Sequence, residues 1–382
     1  MCQFASQARS LREPTMASRE TAKRRQAIGG LVLGIERQLL ALAIAFLLVA
    51  GVLLVSSYNP LTVFKSLIGS FGTDPYGTLR WATPFIFTGL ATAVAFRARV
   101  WNIGMDGQLY IGALAGAATG LYVAPHVDAN IGVGVVLVAS TLGGAAWALP
   151  AAFLRLRWGV PEIITTILLI EIASLFVSYM VLGPMKGAGS YGASLSTDPI
   201  DRRMWLRPLA WQEPATVGLY ISIIAALIVG CYVYRSRQGF EISTFGDNRQ
   251  FSAYAGMNNQ WIFMRTMLIS GGLSGLAGGI EVLGSMHRLP NEFAANLGFQ
   301  GIAVSLVAHN NPFGVIISGI FFGGLKTGGT NLQLHTDTPR DVVDVISAIV
   351  ILVITAQVGH RYLKGRQFKA AILRVTRQEE IA

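Results

Sequence analysis

Apolar runs about as long as a bilayer is thick recur along this chain, and they constrain its fold more than any other feature. A helix needs ~20 predominantly apolar residues to cross the hydrocarbon core. Segments of that kind are read at about 38–57, 81–97, 103–124, 131–154, 161–183, 215–234, 261–283, 299–309, 312–330 and 342–360. Backbone in lipid must satisfy its own hydrogen bonds, so such runs become helices packed in a bundle. The expectation is an all-α integral membrane protein with about ten transmembrane helices. The segments at 81–97, 103–124, 299–309 and 312–330 are short or interrupted by Gly, Pro and Asn, which softens their boundaries. Charged residues make up 13% of the 382, half the ~25% of soluble domains, which excludes an ordinary soluble enzyme and a disordered chain alike. The net charge of +10 is not a nucleic-acid footprint, because the basic residues lie between apolar runs instead of clustering on one hydrated face. Cys2 and Cys231 supply neither a disulfide framework nor a metal knuckle.

With ten spans both termini share a side of the bilayer, and 21 of the 30 basic residues fall on that side. The positive-inside rule then places both termini in the cytoplasm of a cell that holds the chain in its inner membrane. Residues 1–37 and 361–382 are expected to be basic cytoplasmic tails around a transmembrane region, 38–360. The first tail has no apolar core and is not a signal peptide, and Met16 is an alternative start. The longest external loop, about 184–214, is rich in Gly, Ser and Pro and carries Trp205 and Trp211 at interfacial depth. It is a connector or, less favoured, a surface for an external partner.

Asn102-Ile-Gly-Met-Asp-Gly-Gln108 is echoed by Asn296-Leu-Gly-Phe-Gln-Gly-Ile302. Each block follows one span and precedes a short Gly-rich one. They lie an odd number of spans apart, which gives them inverted topology, the signature of many transporter folds. Gly lets a helix break and restart, and irregular backbone at membrane depth survives only where protein or a water-filled cavity satisfies it. A restarted helix also offers free N–H groups to polar ligands. These blocks mark Asn102, Asp106, Gln108, Asn296 and Gln300 as candidates for a polar pathway. The glycines at 112, 116 and 120 and at 271, 275 and 279 are read as close helix packing instead.

Glu171 falls in the middle of the 161–183 span, whereas Glu162, Asp106, Glu281 and Asp344 lie near span ends. A carboxylate at bilayer depth marks a pathway or a paired structural site. No Lys or Arg lies deep in a neighbouring span to pair with Glu171, which leaves packing or gating, a proton relay and direct solute contact all open. Thr83, Thr88, Thr165, Thr166 and Asn310, with Trp81, Phe85, Phe87, Trp101 and Phe299, add polar edges and aromatic faces suited to a planar solute.

The loop at 235–260 reads RSRQGFEISTFGDNRQFSAYAGMNNQ. Asp247 and Asn248 are good N-caps and Gly256 a good stop. Between them Phe251, Tyr254 and Ala255 make a small apolar face, on the membrane surface or in a partner's groove. No G-x-x-x-x-G-K-[ST] occurs, and His287 and His309 have no Cys or carboxylate at metal spacing. The chain carries no catalytic constellation and no cofactor site, so ATP-driven work would come from another chain.

ATPFIFTGLATAVAFRARVWNIGMDGQ, PEIITTILLIEIASLFVSYMVLGPMK, GFEISTFGDN with its AYAG, EVLGSMHRL and GFQGIAVSLVAHNNPFG stand in this order. Over about residues 38–360 they resemble ABC-importer permeases of the branched-chain amino acid/simple-sugar superfamily, nearest to the nucleoside type that works beside basic-membrane-lipoprotein binding proteins. The family pattern R-A-x-G-x-N is replaced by Ser243-Thr-Phe-Gly246-Asp-Asn248, which lacks one cytoplasmic charge. Leu168-Leu-Ile170 stands where Met-Leu-Asn is common, which bears on solute preference. The resemblance implies a type II importer-like fold, a second permease subunit, homologous or identical, ATP-binding cassette ATPases carrying ATP and Mg, and an external solute-binding protein. It turns 247–256 into the expected coupling helix, with Gly246, Asp247, Asn248, Phe251, Tyr254, Ala255 and Gly256 facing the ATPase. A simple-sugar (ribose or galactose) permease and an ion-coupled carrier using Glu171 are the alternatives; a membrane-embedded enzyme has no residues to support it.

Overall fold

A computed structural model describes residues 47–51, 53–54 and 59–335, apart from 124–125, 189–194, 292 and 294–295. Residues Leu61–Asp344 form one unit and Met1–Pro60 with Val345–Ala382 another. Of the span read at 38–57, residues 47–51 and 53–54 are described and helical. The span read at 342–360, both tails and Asp344 lie outside the described residues.

Eleven helices are described in the larger unit: α1 (Pro60–Thr73), α2 (Pro75–Arg97), α3 (Met105–Tyr122), α4 (Ala129–Trp158), α5 (Glu162–Leu182), α6 (Gly218–Arg235), α7 (Arg237–Asp247), α8 (Arg249–Tyr254), α9 (Asn259–Glu281), α10 (Leu297–Val307) and α11 (Pro312–His335). Local chemistry sets their ends. The Asp74 carboxylate accepts the Gly77 N–H at 2.7 Å, with Pro75 in the first turn, so α2 begins six residues before the apolar run read at 81–97. α4 closes on Gly159 in the left-handed conformation (φ 71°), and Pro161 then precedes α5. α9 ends in a π-helical turn, Val282–Met286. α1 and α7 were not read from the sequence, because neither is a long apolar run.

Five of the described helices are long and apolar enough to cross a membrane: α2, α4, α5, α6 and α9 with its π turn. They divide by burial. α2 and α9 have 78% of their apolar stretch inside the protein, whereas α4 has 28% and α5 22%. The chain therefore builds a core around α2 and α9 and leaves α4 and α5 at its periphery. α9 packs on α3, α4 and α2, and α2 packs in addition on α6, α10 and α11. The glycines make this closeness achievable: a side chain at Gly112 would overlap the Gly275 backbone, and one at Gly144 the Gly271 carbonyl. Gly116 and Gly279 both face Ser140 on α4, and Gly120 faces Ile200.

The loop read at 184–214 is more than a connector. Its residues fold back along 283–289, with Thr197 N–H donating to Leu289 O (3.0 Å), Ile200 N–H to His287 O (2.8 Å) and Leu206 N–H to Leu283 O (3.0 Å). Trp205 is stacked on His287 at 3.7 Å between ring centres, while Trp211 stays exposed.

Candidate functional site: two helix breaks that meet

The chain leaves α2 at Arg97, turns through Arg99 in the left-handed conformation (φ 50°) and restarts at Met105. Asn102 organises the restart. Its carbonyl oxygen accepts from Gly104 N–H (3.1 Å) and from Gln108 Nε2 (3.1 Å), and its amide donates to Gln108 Oε1 (3.0 Å) and Ser270 Oγ (2.8 Å). Asn102 and Gln108 are both fully buried, so this reciprocal amide pair uses their hydrogen-bonding capacity inside the protein. Thr166 on α5 accepts from Ile103 N–H (3.4 Å), and Ser274 on α9 donates to the Met105 carbonyl (2.8 Å). A side chain at Gly104 would collide with Thr166, and one at Gly107 would press on the Leu169–Ile170 backbone.

The second block opens α10 in a different way. Asn296 takes the left-handed conformation (φ 68°) and stands at the cap position, its side chain exposed. The first N–H groups of α10 are not free for a ligand, contrary to the reading of a restarted helix. Gly298 N–H donates to Asp106 Oδ1 at 2.6 Å and Phe299 N–H to Asp106 Oδ2 at 3.3 Å. A buried carboxylate from α3 thus supplies the negative charge that a helix N-terminus favours. A side chain at Gly298 would strike Asp106 and one at Gly301 would strike Thr88. The two echoing blocks are therefore in direct contact, which no local feature of the sequence announced. Gln300 is buried, while Phe299 and Trp101 stay 42% and 47% exposed beside them.

Other polar residues singled out earlier satisfy themselves locally. Thr83, Thr88, Thr165 and Thr166 each donate to a carbonyl of their own helix, a bond that needs no second element. Asn310 accepts from Ser305 Oγ at 3.0 Å. Glu281 pairs with Arg80 at 2.8 Å, with the Arg80 guanidinium 3.8 Å from the centre of the Trp81 ring. Glu162 pairs with Arg155 at 3.2 Å. Glu171 lies exposed on α5.

The loop read as a coupling element is two helices. Asp247 ends α7 and does not cap the next helix; Asn248 alone does so, accepting from Gln250 and Phe251 N–H at 3.0 Å each. The helix between the caps shrinks to the six residues of α8, followed by Gly256 at φ 75°. On α8 Phe251 is 57% and Tyr254 91% exposed, with Ala255 and Gly256 exposed beyond them. Ser252 faces inward and donates to Asn259 Oδ1 (2.8 Å), and Asn259 in turn donates to the Arg249 carbonyl (2.9 Å). A groove of about 460 Å³ runs beside α8, lined by Phe240, Glu241, Met257, Trp261 and neighbours. Glu241, on its wall, is held between Arg265 (3.2 Å) and Arg237 (3.3 Å). α7 is seated on the first helix break: Gly246 lies against the Arg97 carbonyl, Arg97 Nε donates to Ser243 Oγ (2.9 Å) and Arg249 donates to the Arg99 carbonyl (3.3 Å). Beneath it Ile242 and Phe245 join Ala98, Val100, Ala151 and Phe263 in one apolar cluster.

Among the described residues, an all-helical unit with several helices able to span a membrane, two helix breaks in contact and a short helix pair on the first of them defines a multi-pass membrane protein. Residues 75–355 match the family described as branched-chain amino acid transport system / permease component, and the chain belongs to that family. It is 33% identical to the guanosine ABC transporter permease protein NupP of Bacillus subtilis, over 85% of this chain and 94% of that one. It is 33% identical to the glucose ABC transporter permease protein TsgB13 of Haloferax volcanii, over 85% and 88%. To the nucleoside ABC transporter permease protein NupB of Lactococcus lactis it is 30% identical, over 84% and 90%. The chain is thus a permease subunit of an ABC transporter, a transport component and not an enzyme.

Proposed function

We propose that this chain forms the solute pathway of an ABC importer for nucleosides, pairing with a second permease subunit and receiving solute from an external binding protein. Separate ATPase subunits supply the energy, and ATP and Mg belong to them. The observation that carries the solute class is the similarity, over 84–85% of this chain, to permeases named for guanosine and for nucleosides. In this reading the chain has ten spans arranged as an inverted repeat, and both termini are cytoplasmic. Support for the repeat comes from its two echoing blocks, each of which precedes a helix and which meet through Asp106. Asn102, Asp106 and Gln108 hold the junction, while Asn296 and Gln300, beside exposed Phe299, present it to solute. Gly246 to Gly256 couple the permease to the ATPase, with Phe251 and Tyr254 as the inserted side chains.

The similarity to a glucose permease favours one second reading, a sugar importer of the same architecture. Uptake by the complete transporter in proteoliposomes separates the two, with labelled adenosine, uridine, ribose and galactose. Nucleoside uptake is expected; sugar uptake without nucleoside uptake replaces the first reading by the second.

A further inference from the structure

Glu171 is the tenth of the twenty-one residues of α5. At 1.5 Å per residue it stands about 14 Å from the helix start, the middle of a hydrocarbon core ~30 Å thick. It lies on the exposed side of the helix, among Ile167, Leu168, Ile172 and Leu175, which are 42, 58, 51 and 71% exposed. Among the described residues it has no hydrogen-bond or ion-pair partner. Mid-span carboxylates face a protein interior or a water-filled cavity, not lipid chains.

The exposed faces of α4 and α6 are apolar by comparison. α4 exposes Val138, Leu142 and Leu149, and α6 exposes Ile224, Leu227 and Ile228, with no Asp, Glu, Lys or Arg on either until the last turns. α5 differs. Ser174 and Ser178, three and seven residues beyond Glu171 and half-buried, fall within about 60° of it at 100° per residue, so a polar stripe runs up one side. The inner side of the same helix is fixed to the first helix break through Thr166 and the Leu169–Ile170 backbone, which sets the direction in which the stripe points.

We propose that this face of α5 lines the solute pathway and that Glu171 is its specificity-determining residue, accepting paired N–H donors of a guanine-type nucleobase. The proposal rests on the nucleoside reading above. A carboxylate offers two acceptor oxygens and no donor, so it matches a solute edge that presents two adjacent N–H groups. Guanine does so through N1–H and its 2-amino group. Adenine alternates donor with acceptor along its edge, and uracil flanks a single N–H with two carbonyls whose oxygens a carboxylate repels. Vicinal hydroxyls of a sugar also donate in pairs to a carboxylate, but the ribose of every nucleoside carries them, so they do not separate guanosine from uridine.

The test uses the complete transporter, with its partner permease, ATPase and binding protein, in proteoliposomes. In a Cys2→Ser, Cys231→Ser background, Ser174→Cys and Ser178→Cys are treated with a membrane-impermeant methanethiosulfonate. Both are expected to react on the order of tenfold faster than Val138→Cys on α4, and saturating guanosine slows them, since thiol attack needs water and thiolate. Glu171→Gln lowers guanosine uptake on the order of tenfold, the usual scale for losing a hydrogen bond to a charged group, while uridine uptake changes by less than about twofold. Thiols at 174 and 178 that react no faster than one at 138 put the face in lipid and overturn the pathway assignment, whatever the solute. Reactive thiols with an unchanged guanosine-to-uridine ratio in Glu171→Gln overturn the specificity role. Reactive, protected-by-nothing thiols in a transporter that moves no nucleoside at all overturn the nucleoside reading on which the guanine assignment stands.

Discussion

Glu281 and Arg80 meet at 2.8 Å with side-chain exposures of 3% and 11%. The pair joins the end of α9 to α2 across 201 residues of sequence. Ions so far from water cost several kcal/mol each to desolvate, and mutual attraction repays that only while both partners are present. Glu281→Gln therefore leaves a buried guanidinium uncompensated and is expected to destabilise the protein by about 3 kcal/mol. Arg80→Met combined with Glu281→Gln removes both charges and recovers most of the loss. Thermal unfolding in detergent of the two single variants and the double one checks this; strictly additive losses would mean the pair is not coupled. That Asp106, Glu162, Glu171 and Glu281 fall within or beside long apolar helices was legible in the sequence, because hydropathy picks out such runs. The remedy for each was not. Asp106 takes backbone N–H groups 192 and 193 residues away, and Glu162 reaches Arg155 only because Gly159 turns the chain between α4 and α5. A place in or beside an apolar run follows from local composition, whereas partners follow from packing between helices that the sequence does not order in space.

At the scale of elements the same division holds. α5, α6 and α9 lie close to the runs read at 161–183, 215–234 and 261–283, since a long apolar stretch in lipid has little choice but helix. α1 and α7 escaped that reading because they carry mixed residues. In the loop at 235–260 Asn248 and Gly256 were legible as punctuation, because each solves a local backbone problem that few other residues can. Asp247 was misplaced because Asp satisfies the rules for a cap and for a helix end alike. The product is a six-residue helix, too short to persist without support, that holds outward a tyrosine exposed by 91%. Such a residue on a supported short helix has the geometry of an inserted knob. Tyr254→Asp places a charge where an apolar groove is expected, and solute-stimulated ATP hydrolysis by the assembled transporter should fall at least on the order of tenfold, the cost of one desolvated charge at an interface. Membrane insertion and the basal stability of the permease stay unchanged, because Tyr254 supports no other element. Undiminished stimulation would remove α8 from the ATPase interface.

Over the whole unit these contacts form one continuous line. α8 is braced by Arg249 on the Arg99 carbonyl, α7 by Gly246 on the Arg97 carbonyl, the first helix break by Asn102 and Gln108, and α10 by Asp106. The sequence displayed the two echoing blocks as an inverted pair marking one polar pathway; packing brings them into direct contact through Asp106, with α7 seated against the first. Geometry of this kind transmits a displacement only if its links are tight, and Gly246 is the tightest. Its α-carbon lies where even a methyl group would overlap the Arg97 carbonyl and touch Ala98. Gly246→Ala must therefore lift α7 off the break, at an overpacking cost of about 1–3 kcal/mol. Tyr254 itself stays free to dock. Basal ATP hydrolysis and assembly with the ATPase are expected to persist, while uptake per ATP hydrolysed falls severalfold. Gly134→Ala on α4 is the control, since nothing lies within 4 Å of its added methyl, and it leaves the ratio unchanged. Measuring labelled nucleoside and released phosphate in the same vesicles decides the matter. If Gly246→Ala keeps the native ratio, the motion reaches the junction by another route, and the packing of α9 against α3 and α2 becomes the remaining link.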